Sequence, residues 1–499
     1  MLPMNRTEGT RWHLLVGGFL LAVTAIASPA QTLTTLYSFC GQTSCGDGSA
    51  PYAAPVQGID GNFYGTTIHG GSYAGGYGTI FKITPTGKLT TLYSFCGESA
   101  CDYGAYPYAG LLLASNGELY GTTFGSPGMV FKITTKGQLT TVYTFCSLTD
   151  CADGEQPYAG LIQAGNGNFY GTTSEGGVPS SDGFGTVFEL TPSGALTTLY
   201  SFCSQPNCTD GQGPYTPLVQ ATNGDFYGAT VDAGPPPGTG TMYRITPTGS
   251  LTTLYTFCLE QGCPSGYHPS GLIQATDGDL YGTTEEGGAF GFGTVFKMTP
   301  GGKLTTLYSF CSQGQPYCLD GAYPIGGVIQ ATDGNFYGTT SAGGAGYALS
   351  PGILSGGTIF KITPSGTLTT LYNFCSQLGC TDGSGPQAGL FQATSGVFLG
   401  TTRVGWTGAS NGTVFRLSVG LGPFVETVPT SGKVGQAVRI LGTNLTGASS
   451  VTFNGIPAVV TGVSGSEITT TVPAGATTGT VQVTTPGGTL LSNVPFRVP

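Results

Sequence analysis

The chain has 499 residues, of which only 8% are charged, with 87 glycines and a formal net charge of −10. A polyanion such as DNA or RNA needs clustered lysine and arginine for counterion release, and the sequence contains no such cluster. Nucleic acid is therefore excluded as a partner. So few charges also imply that most surfaces of each structural unit are covered by neighbouring protein.

The first thirty residues have the pattern of a secretory signal peptide. Arg6 and Arg11 precede an apolar run over 14–27, and small residues lead to an expected cleavage after Ala30. The apolar run is shorter than the roughly 20 residues of a spanning helix. We therefore expect an exported bacterial protein that is secreted, extracellular, at the cell surface or periplasmic, with no membrane span after cleavage.

A sequence unit recurs seven times, with the motifs LYSFC, DGxxPYAGL, DGNFYGTT and GTVFKITPSG in succession. Its strand-like segments are rich in Thr, Tyr, Phe, Val and Ile; in the fifth unit they cover 251–257, 271–276, 280–284 and 294–299. Asn-Gly or Asp-Gly turns follow the first segment and Thr-Pro-x-Gly turns follow the third. Four antiparallel strands in each of seven units predict a β-propeller, with a β-solenoid as the alternative.

The two ends of the repeated region complement each other. The segment 33–39 is a fourth strand without a preceding unit, whereas the last unit has strands over 389–394, 397–402 and 413–418 and lacks its fourth. We predict that the segment 33–39 completes the seventh sheet. The expected fold class is all-β: a seven-bladed β-propeller of four-stranded blades closed by an N-terminal strand.

The cysteines predict seven local disulfide bonds, one in each unit. A zinc site is less compatible with the sequence, because the pairs lie in separate units and the exported chain has only His69 and His268. An oxidising compartment suits disulfides. The predicted pairs are Cys40–Cys45, Cys96–Cys101, Cys146–Cys151, Cys203–Cys208, Cys258–Cys263, Cys311–Cys318 and Cys375–Cys380.

The repeat motifs resemble the Gloeobacter/Verrucomicrobia (GloVer) tandem repeats over residues 32–418, which implies a secreted or surface protein of unassigned activity. The motifs TDGNFYGTT and KITPSG are also similar to those of NHL-type and streptogramin-lyase propellers. The segments VETVPTSGKVGQAVRILGTNL and SVTFNGIPA near the C-terminus closely resemble the IPT/TIG immunoglobulin-like domain. The expected domains are a signal peptide at 1–30, the propeller at 31–420 and an immunoglobulin-like β-sandwich at 421–499, for which a spacer role is favoured over a contact module.

The variable loops between the second and third strands, together with the cysteine loops, should lie on one rim of the propeller. That rim is aromatic, and a rigid scaffold with variable loops is a common binding surface. We expect non-catalytic binding or scaffolding, with a glycan, surface polymer or surface protein as partner and no cofactor. The sequence predicts no particular oligomeric state. The binding candidates are Trp406, Tyr73, Tyr77, Phe184, Phe290, Phe292 and Tyr347, although aromatic residues in such loops often pack back onto the sheets.

The alternative is a lyase or lactonase acting on a sugar-derived substrate. Its weak catalytic candidates are His268, Glu285 and Glu286, and His268 attracts attention because it breaks the pattern of its repeat. No metal is expected. The Asp-Gly that follows most cysteine pairs offers one carboxylate for each unit, too few for calcium, and turn formation is the better explanation; these residues are Asp47, Asp153, Asp210, Asp320 and Asp382.

Overall fold

A computed structural model describes residues 31–73, 75–96, 104–178, 183–232, 239–314, 317–345, 356–404 and 412–499. The expected all-β class is confirmed. Short 3₁₀ turns lie in four of the cysteine loops, at Thr43–Cys45, Thr149–Cys151, Pro206–Cys208 and Leu378–Cys380. No helix in the described part of the chain is long and apolar enough to cross a membrane. The predicted signal peptide at 1–30 lies outside the described residues.

The repeats form propeller-like four-stranded antiparallel sheets. The first sheet contains β2 (Val56–Gln57), β3 (Phe63–Thr67), β4 (Thr79–Ile83) and β5 (Leu89–Ser94). The second contains β6 (Leu112–Leu113), β7 (Leu119–Thr123), β8 (Met129–Ile133) and β9 (Leu139–Thr144). The third contains β10 (Ile162–Gln163), β11 (Phe169–Thr173), β12 (Thr186–Leu190) and β13 (Leu196–Ser201).

Three further sheets repeat this order. The fourth contains β14 (Val219–Gln220), β15 (Phe226–Thr230), β16 (Thr241–Ile245) and β17 (Leu251–Thr256). The fifth contains β18 (Tyr267–Gln274), β19 (Leu280–Glu286), β20 (Thr294–Met298) and β21 (Leu304–Ser309). The sixth contains β22 (Val328–Gln330), β23 (Phe336–Thr340), β24 (Thr358–Ile362) and β25 (Leu368–Asn373).

The seventh sheet combines both ends of the repeated region. It contains β26 (Phe391–Gln392), β27 (Phe398–Thr402), β28 (Thr413–Ser418) and, beside β28, the N-terminal strand β1 (Thr32–Ser38). Leu33 lies opposite Leu417 and Ser38 lies opposite Thr413. The strand that precedes the first full repeat therefore pairs with the strand that ends the last one.

A repeated glutamine contact links neighbouring sheets. The side-chain carbonyl of Gln163 in the third sheet accepts a hydrogen bond from the backbone N–H of Ser115 in the second, at 2.8 Å. The same contact joins the seventh sheet to the first, from the Thr394 N–H to Gln57 at 3.0 Å. Equivalent glutamines, Gln220, Gln274, Gln330 and Gln392, serve the sheets between.

The second strand of each sheet is buried on both faces, because sheets pack against it from either side. Its central glycine follows from this crowding. A Cβ on Gly65 would lie 2.5 Å from the ring of Phe81 on the adjacent strand. The FYGTT motif is thus a packing motif.

The cysteine loops are held by local bonds of two kinds. Six of the predicted disulfides are present, and the seventh pair, Cys96 with Cys101, includes a residue outside the described ranges. Asp153 is fully buried and accepts hydrogen bonds from the Tyr143 hydroxyl at 2.7 Å and from two loop N–H groups. Burial is the main cause that raises the pKa of Tyr143 to about 12, and the hydrogen bond to Asp153 adds to it. The repeated aspartate therefore anchors its loop to the fourth strand.

The fifth repeat departs from the predicted strand limits. Its first strand begins at Tyr267 instead of residue 271, and its second ends at Glu286 instead of residue 284. In the third repeat the corresponding residues, Glu155 and Glu175, form only an isolated bridge. The fifth sheet thus extends as a continuous hairpin toward the cysteine loops.

The C-terminal region forms a separate β-sandwich. One sheet contains β29 (Glu426–Val428), β30 (Ala437–Leu441), β34 (Glu467–Thr471) and β33 (Val460–Val463); the other contains β32 (Ile456–Ala458), β31 (Ser450–Phe453), β35 (Val481–Thr485) and β36 (Gly488–Leu491). Their inner faces meet in a core that includes Val438, Ile440, Val451, Phe453, Ile468 and Val483. This arrangement agrees with the immunoglobulin-like expectation.

One buried side chain in the fourth sheet is poorly matched to its site. Tyr243 occupies a position where the other six repeats have phenylalanine, and its buried hydroxyl has no hydrogen-bond partner among the described residues. Since an unsatisfied buried hydroxyl costs about 1–3 kcal/mol, Tyr243→Phe should raise the free energy of unfolding by about 1–2 kcal/mol in urea denaturation. The control is Tyr227→Phe, which loses a bond to Asn223 and should not stabilise. A loss of stability in Tyr243→Phe would contradict the prediction.

Candidate binding site

The connections between strands separate into two sides of the repeat domain. We call the side with the Asp-Gly, Asn-Gly and Thr-Pro-x-Gly turns the turn-bearing side, and the side with the cysteine loops and the loops between second and third strands the loop-bearing side. On the latter, the two kinds of loop contact each other: the N–H of Gly71 bonds the carbonyl of Cys45 at 2.9 Å. The cysteine loops therefore brace the loops in which the binding candidates were expected.

A cleft of about 480 Å³ opens on the loop-bearing side between the third and fourth sheets. Its lining combines two aromatic rings, three carboxylates, an amide and a hydroxyl: Phe184, Tyr215, Glu155, Glu175, Asp232, Gln212 and Ser174. Sugar-binding sites are commonly built from such flat rings and converging polar groups. This cleft is the candidate binding site.

Two acidic residues of the cleft occupy opposed positions on neighbouring segments. Glu155 and Glu175 are directly opposite across a β-bridge, where like charges disfavour each other. The hydroxyl of Ser126 donates to Glu155 at 2.5 Å and the amide of Gln156 donates to Glu175 at 2.8 Å. None of the ion pairs in the described part of the chain involves either glutamate. The cleft therefore offers hydrogen-bond acceptors that a ligand rich in donors could use.

The aromatic wall of the cleft continues toward the centre of the repeat domain. The ring of Tyr215 lies 4.8 Å from that of Tyr158, which stacks on Tyr108 at 5.0 Å, and Tyr108 in turn meets Tyr52 at 5.3 Å. The hydroxyl of Tyr52 donates to Gln387 of the seventh repeat. Burial raises the pKa of Tyr215, and the nearby Glu175 and Asp232 carboxylates raise it further. Tyrosines of four consecutive repeats thus form one cluster beside the cleft.

The weak catalytic candidates lie together in the fifth sheet. The strand register places Tyr267 opposite Glu286 and Pro269 opposite Thr284, so His268 faces Glu285 between them. Burial raises the pKa of Glu285; Glu286 adds to the effect and His268 opposes it. The Tyr267 hydroxyl donates to Glu286, which raises the pKa of Tyr267 to about 12. The arrangement places a histidine and two carboxyl groups on one half-buried hairpin.

His268 also adopts a constrained backbone. Its φ of 51° is in the left-handed region although a proline follows, and Gln156 in the third repeat has the same conformation with a φ of 56°. The N–H of His268 donates to the carbonyl of Thr239 in the preceding repeat at 3.1 Å. Strain of this kind persists where neighbouring contacts hold it. The strained backbone here holds the side chains of His268 and Gln156 at the edge of the loop-bearing side.

The predicted aromatic candidates fall into three groups. Tyr73 and Phe290 are exposed, with 46% and 41% of their surface accessible. Tyr77 and Phe292 pack inward, with their rings 5.6 Å from those of Tyr106 and Tyr323, and Phe184 lines the cleft. Trp406 and Tyr347 lie outside the described residues.

The sequence analysis did not select Glu155, Gln212 or Ser174 as binding residues. The missed signal is a pair of equivalent positions in the repeats that face each other across a β-bridge. Glu155 pairs with Glu175 there, and Gln212 pairs with Asp232. Aligning the repeats at these bridge positions shows that acidic residues concentrate in repeats three to five. A metal is not supported at the one cysteine-containing cluster of the described residues, because Cys146 and Cys151 in it are joined by a disulfide.

Three solved structures show distant likenesses to this chain. A structural-genomics target named as a gluconolactonase is 13% identical, with a TM-score of 0.33 over 56% of this chain and 81% of that chain. The extracellular domain of a protein named as a hybrid two-component system from B. thetaiotaomicron is 11% identical, with a TM-score of 0.47 over 93% of this chain and 57% of that chain. A protein of unknown function from Bacteroides thetaiotaomicron is 14% identical, with a TM-score of 0.38 over 69% of this chain and 82% of that chain. At these scores none of them carries an argument about function.

Comparison with protein families is decisive. No curated protein matches the chain. The Gloeobacter/Verrucomicrobia repeat matches in four overlapping stretches, residues 22–178, 124–265, 179–415 and 258–456, and the IPT/TIG domain matches residues 424–498. These matches agree with the repeated sheets and the C-terminal sandwich. The chain therefore belongs to the Gloeobacter/Verrucomicrobia repeat family and carries an IPT/TIG domain at its C-terminus.

Proposed function

We propose that residues 31–420 form a closed seven-bladed propeller whose loop-bearing side binds a glycan or surface polymer without catalysis, and that residues 421–499 form its accessory domain. Closure is supported by the pairing of β1 with β28 and by the Thr394–Gln57 contact between the seventh and first sheets. The observation that carries the binding function is the cleft between the third and fourth sheets. Its rings and acceptors suit a ligand with apolar faces and many hydroxyl groups.

The chemistry of the cleft favours donor-rich ligands over anionic ones. Glu155, Glu175 and Asp232 all face the same space, and no basic side chain is among the described residues that line it. A hydrogen bond to a charged acceptor contributes about 1.5–3 kcal/mol, and stacking on an aromatic ring adds about 0.5–1.5 kcal/mol. A neutral sugar can use both, whereas an acidic polysaccharide would meet like charges.

An extracellular location fits the covalent structure. Disulfide bonds persist in oxidising compartments and are rare in the cytosol. Six short loops each carry one, as expected for a chain exported by the predicted signal peptide. A binding or scaffold role outside the cytoplasm follows as our proposal.

The second candidate function is acid–base catalysis at the hairpin of the fifth sheet. The observation that favours it is the cross-strand pair of His268 and Glu285, in which burial raises the pKa of the glutamate toward the range useful for proton transfer. A lyase or lactonase acting on a sugar-derived substrate would need such a pair. Binding remains the first proposal, because the cleft lies between the third and fourth sheets, whereas His268 and Glu285 belong to the fifth.

The test is a screen of the full exported chain against neutral, amino and acidic polysaccharides and their oligosaccharides, followed by calorimetry on the best ligand. We expect Tyr215→Ala and Glu175→Gln each to weaken binding about tenfold, in line with the stacking and hydrogen-bond energies above. The matched control is Glu118→Gln, which removes the same charge on the turn-bearing side. The same panel, assayed for products with His268→Ala beside the native chain, detects catalysis.

Two results would overturn the binding proposal. One is the absence of binding to every member of the panel. The other is a bound ligand that is indifferent to both Tyr215→Ala and Glu175→Gln. Turnover that disappears in His268→Ala would establish the second candidate instead.

A further inference from the structure

We infer that the IPT/TIG domain docks in a fixed position over the turn-bearing side of the propeller and is not a spacer. This inference concerns the opposite side from the proposed ligand cleft and does not depend on any ligand. It rests on polar contacts with several repeats, on an apolar contact at one repeat, and on departures from the repeat sequence that coincide with the contact surface.

Two arginines of the sandwich bind backbone carbonyls in the turns of the sheets. Arg439 donates to the carbonyls of Ser115 at 2.8 Å and Asn116 at 3.2 Å, in the turn of the second sheet. Arg497 donates to the carbonyls of Ala221 at 2.9 Å and Thr222 at 3.0 Å, in the turn of the fourth. Each guanidinium thus bonds two carbonyls of one turn, and the carbonyl of Ala221 also accepts the N–H of Gly224 within that turn.

Further contacts extend this surface to the first and seventh sheets. The hydroxyl of Ser466 donates to the carbonyl of Ile59 at 2.7 Å, and Thr443 shares a hydrogen bond of 3.0 Å with Thr394. In contrast, a Cβ on Gly278, in the turn of the fifth sheet, would meet no atom within 4 Å. A Cβ on Gly165, in the turn of the third sheet, would by contrast meet Ser431 of the sandwich, so the contacts reach the first four sheets and the seventh, and the domain sits off centre.

The apolar part of the interface falls where one repeat breaks the glutamine pattern. Six repeats have glutamine in the first strand, but the second has Leu113, which is only 5% exposed. Val428 and Leu441 of the sandwich belong to the same apolar cluster as Leu111 and Leu113. A glutamine at this position would have to bury its amide against those side chains.

The residue at a second position of the repeat also differs between repeats in this region. Repeats four to seven have threonine directly before the turn dipeptide, whereas the first three have Ile59, Ser115 and Gly165. A Cβ on Gly165 would lie 2.5 Å from the hydroxyl oxygen of Ser431, so the repeat threonine would displace that side chain. Three of the contacting repeats have therefore diverged at this position, whereas the fourth and seventh contact the sandwich through the retained Thr222 and Thr394. A flexibly tethered spacer would impose no such restriction.

The docked IPT/TIG domain limits the directions from which a ligand can approach the propeller. One end of the propeller is covered by the chain's own C-terminal domain, and the tyrosine cluster of Tyr52, Tyr108, Tyr158 and Tyr215 packs near the other. On the turn-bearing side a ligand can therefore reach the turns of the fifth and sixth sheets, where a Cβ on Gly278 or Gly334 would meet no atom within 4 Å, but not the turns that the sandwich contacts.

A designed disulfide tests the docking in the full chain. A Cβ on Gly61 would lie 3.3 Å from that of Ser466, close to the Cβ separation of a disulfide. Gly61→Cys with Ser466→Cys should therefore cross-link spontaneously, which mass spectrometry of the non-reduced peptides would detect. The control, Gly278→Cys with Ser466→Cys, places the first cysteine in the equivalent uncovered turn and should cross-link about tenfold less.

A loosening variant provides the opposite test. Gly165→Thr restores the repeat residue and should speed proteolysis of the connection at residues 419–423 about tenfold, with an unchanged circular dichroism spectrum. Equal cross-linking in the two cysteine pairs, or none in the Gly61 pair, would show a freely tethered domain and overturn the inference. So would a Gly165→Thr chain that folds and keeps the native cleavage rate.

Discussion

Phe39→Ala should lower the free energy of unfolding by about 3–5 kcal/mol, the usual cost of removing a buried phenylalanine side chain. Phe39 follows the N-terminal strand β1, is fully buried, and lies 5.2 Å from Phe81 of the first sheet. It packs in one cluster with Val414 and Leu399 of the seventh sheet. The side chain therefore joins the two ends of the repeated region, and urea denaturation followed by circular dichroism would measure its contribution.

The control for Phe39 is the equivalent phenylalanine of an interior repeat. Phe145 is 1% exposed and lies 5.2 Å from Phe188, so its local packing is nearly the same. If β1 closes the propeller, Phe39→Ala and Phe145→Ala should cost similar amounts. A loss below about 1 kcal/mol for Phe39→Ala beside a full loss for Phe145→Ala would mean that the N-terminal strand frays without opening the fold. Comparison of matched variants also limits the error from unfolding that is not two-state.

Much of the repeat architecture could be predicted, because a pattern repeated seven times averages out local ambiguity. The Asp-Gly and Thr-Pro-x-Gly turns set strand order, and the unmatched segments at both ends predicted which strands would pair. The longer hairpin of the fifth repeat was not predicted, because its extra residues, Tyr267 and Glu286, pair with each other outside the motifs of the repeat. Sequence periodicity does not report such contacts.

The candidate site was predictable only in part. Phe184 was selected from the sequence as an aromatic loop residue, but the cleft also depends on Glu155, which faces Glu175 across a bridge with no sequence motif of its own. The docking of the IPT/TIG domain was missed for a related reason. No motif in or near β29 indicates that Val428 packs against a different domain.

Glu426→Gln should raise the free energy of unfolding by about 2 kcal/mol at pH 8 and have little effect at pH 4. Glu426 shares a face of β29 with Val428, whose side chain packs against Leu113 of the repeat domain. Burial raises the pKa of Glu426 from 4.5 to about 7. That shift corresponds to about 3 kcal/mol, and the smaller expected gain allows for the exposure that Glu426 retains and for the polarity of glutamine.

The direction with pH follows from which state holds the proton more tightly. Below about pH 4.5, the unperturbed value, Glu426 is protonated in both the folded and the unfolded chain and contributes no difference. As the pH rises toward 7 the unfolded chain ionises first, so the folded chain loses stability, and above 7 the full penalty remains. Glutamine has no proton to lose, so the gap between Glu426→Gln and the native chain should open across this interval. A constant gap from pH 4 to 8 would show that Glu426 is solvated, and that the sandwich does not bury it against the turn-bearing side.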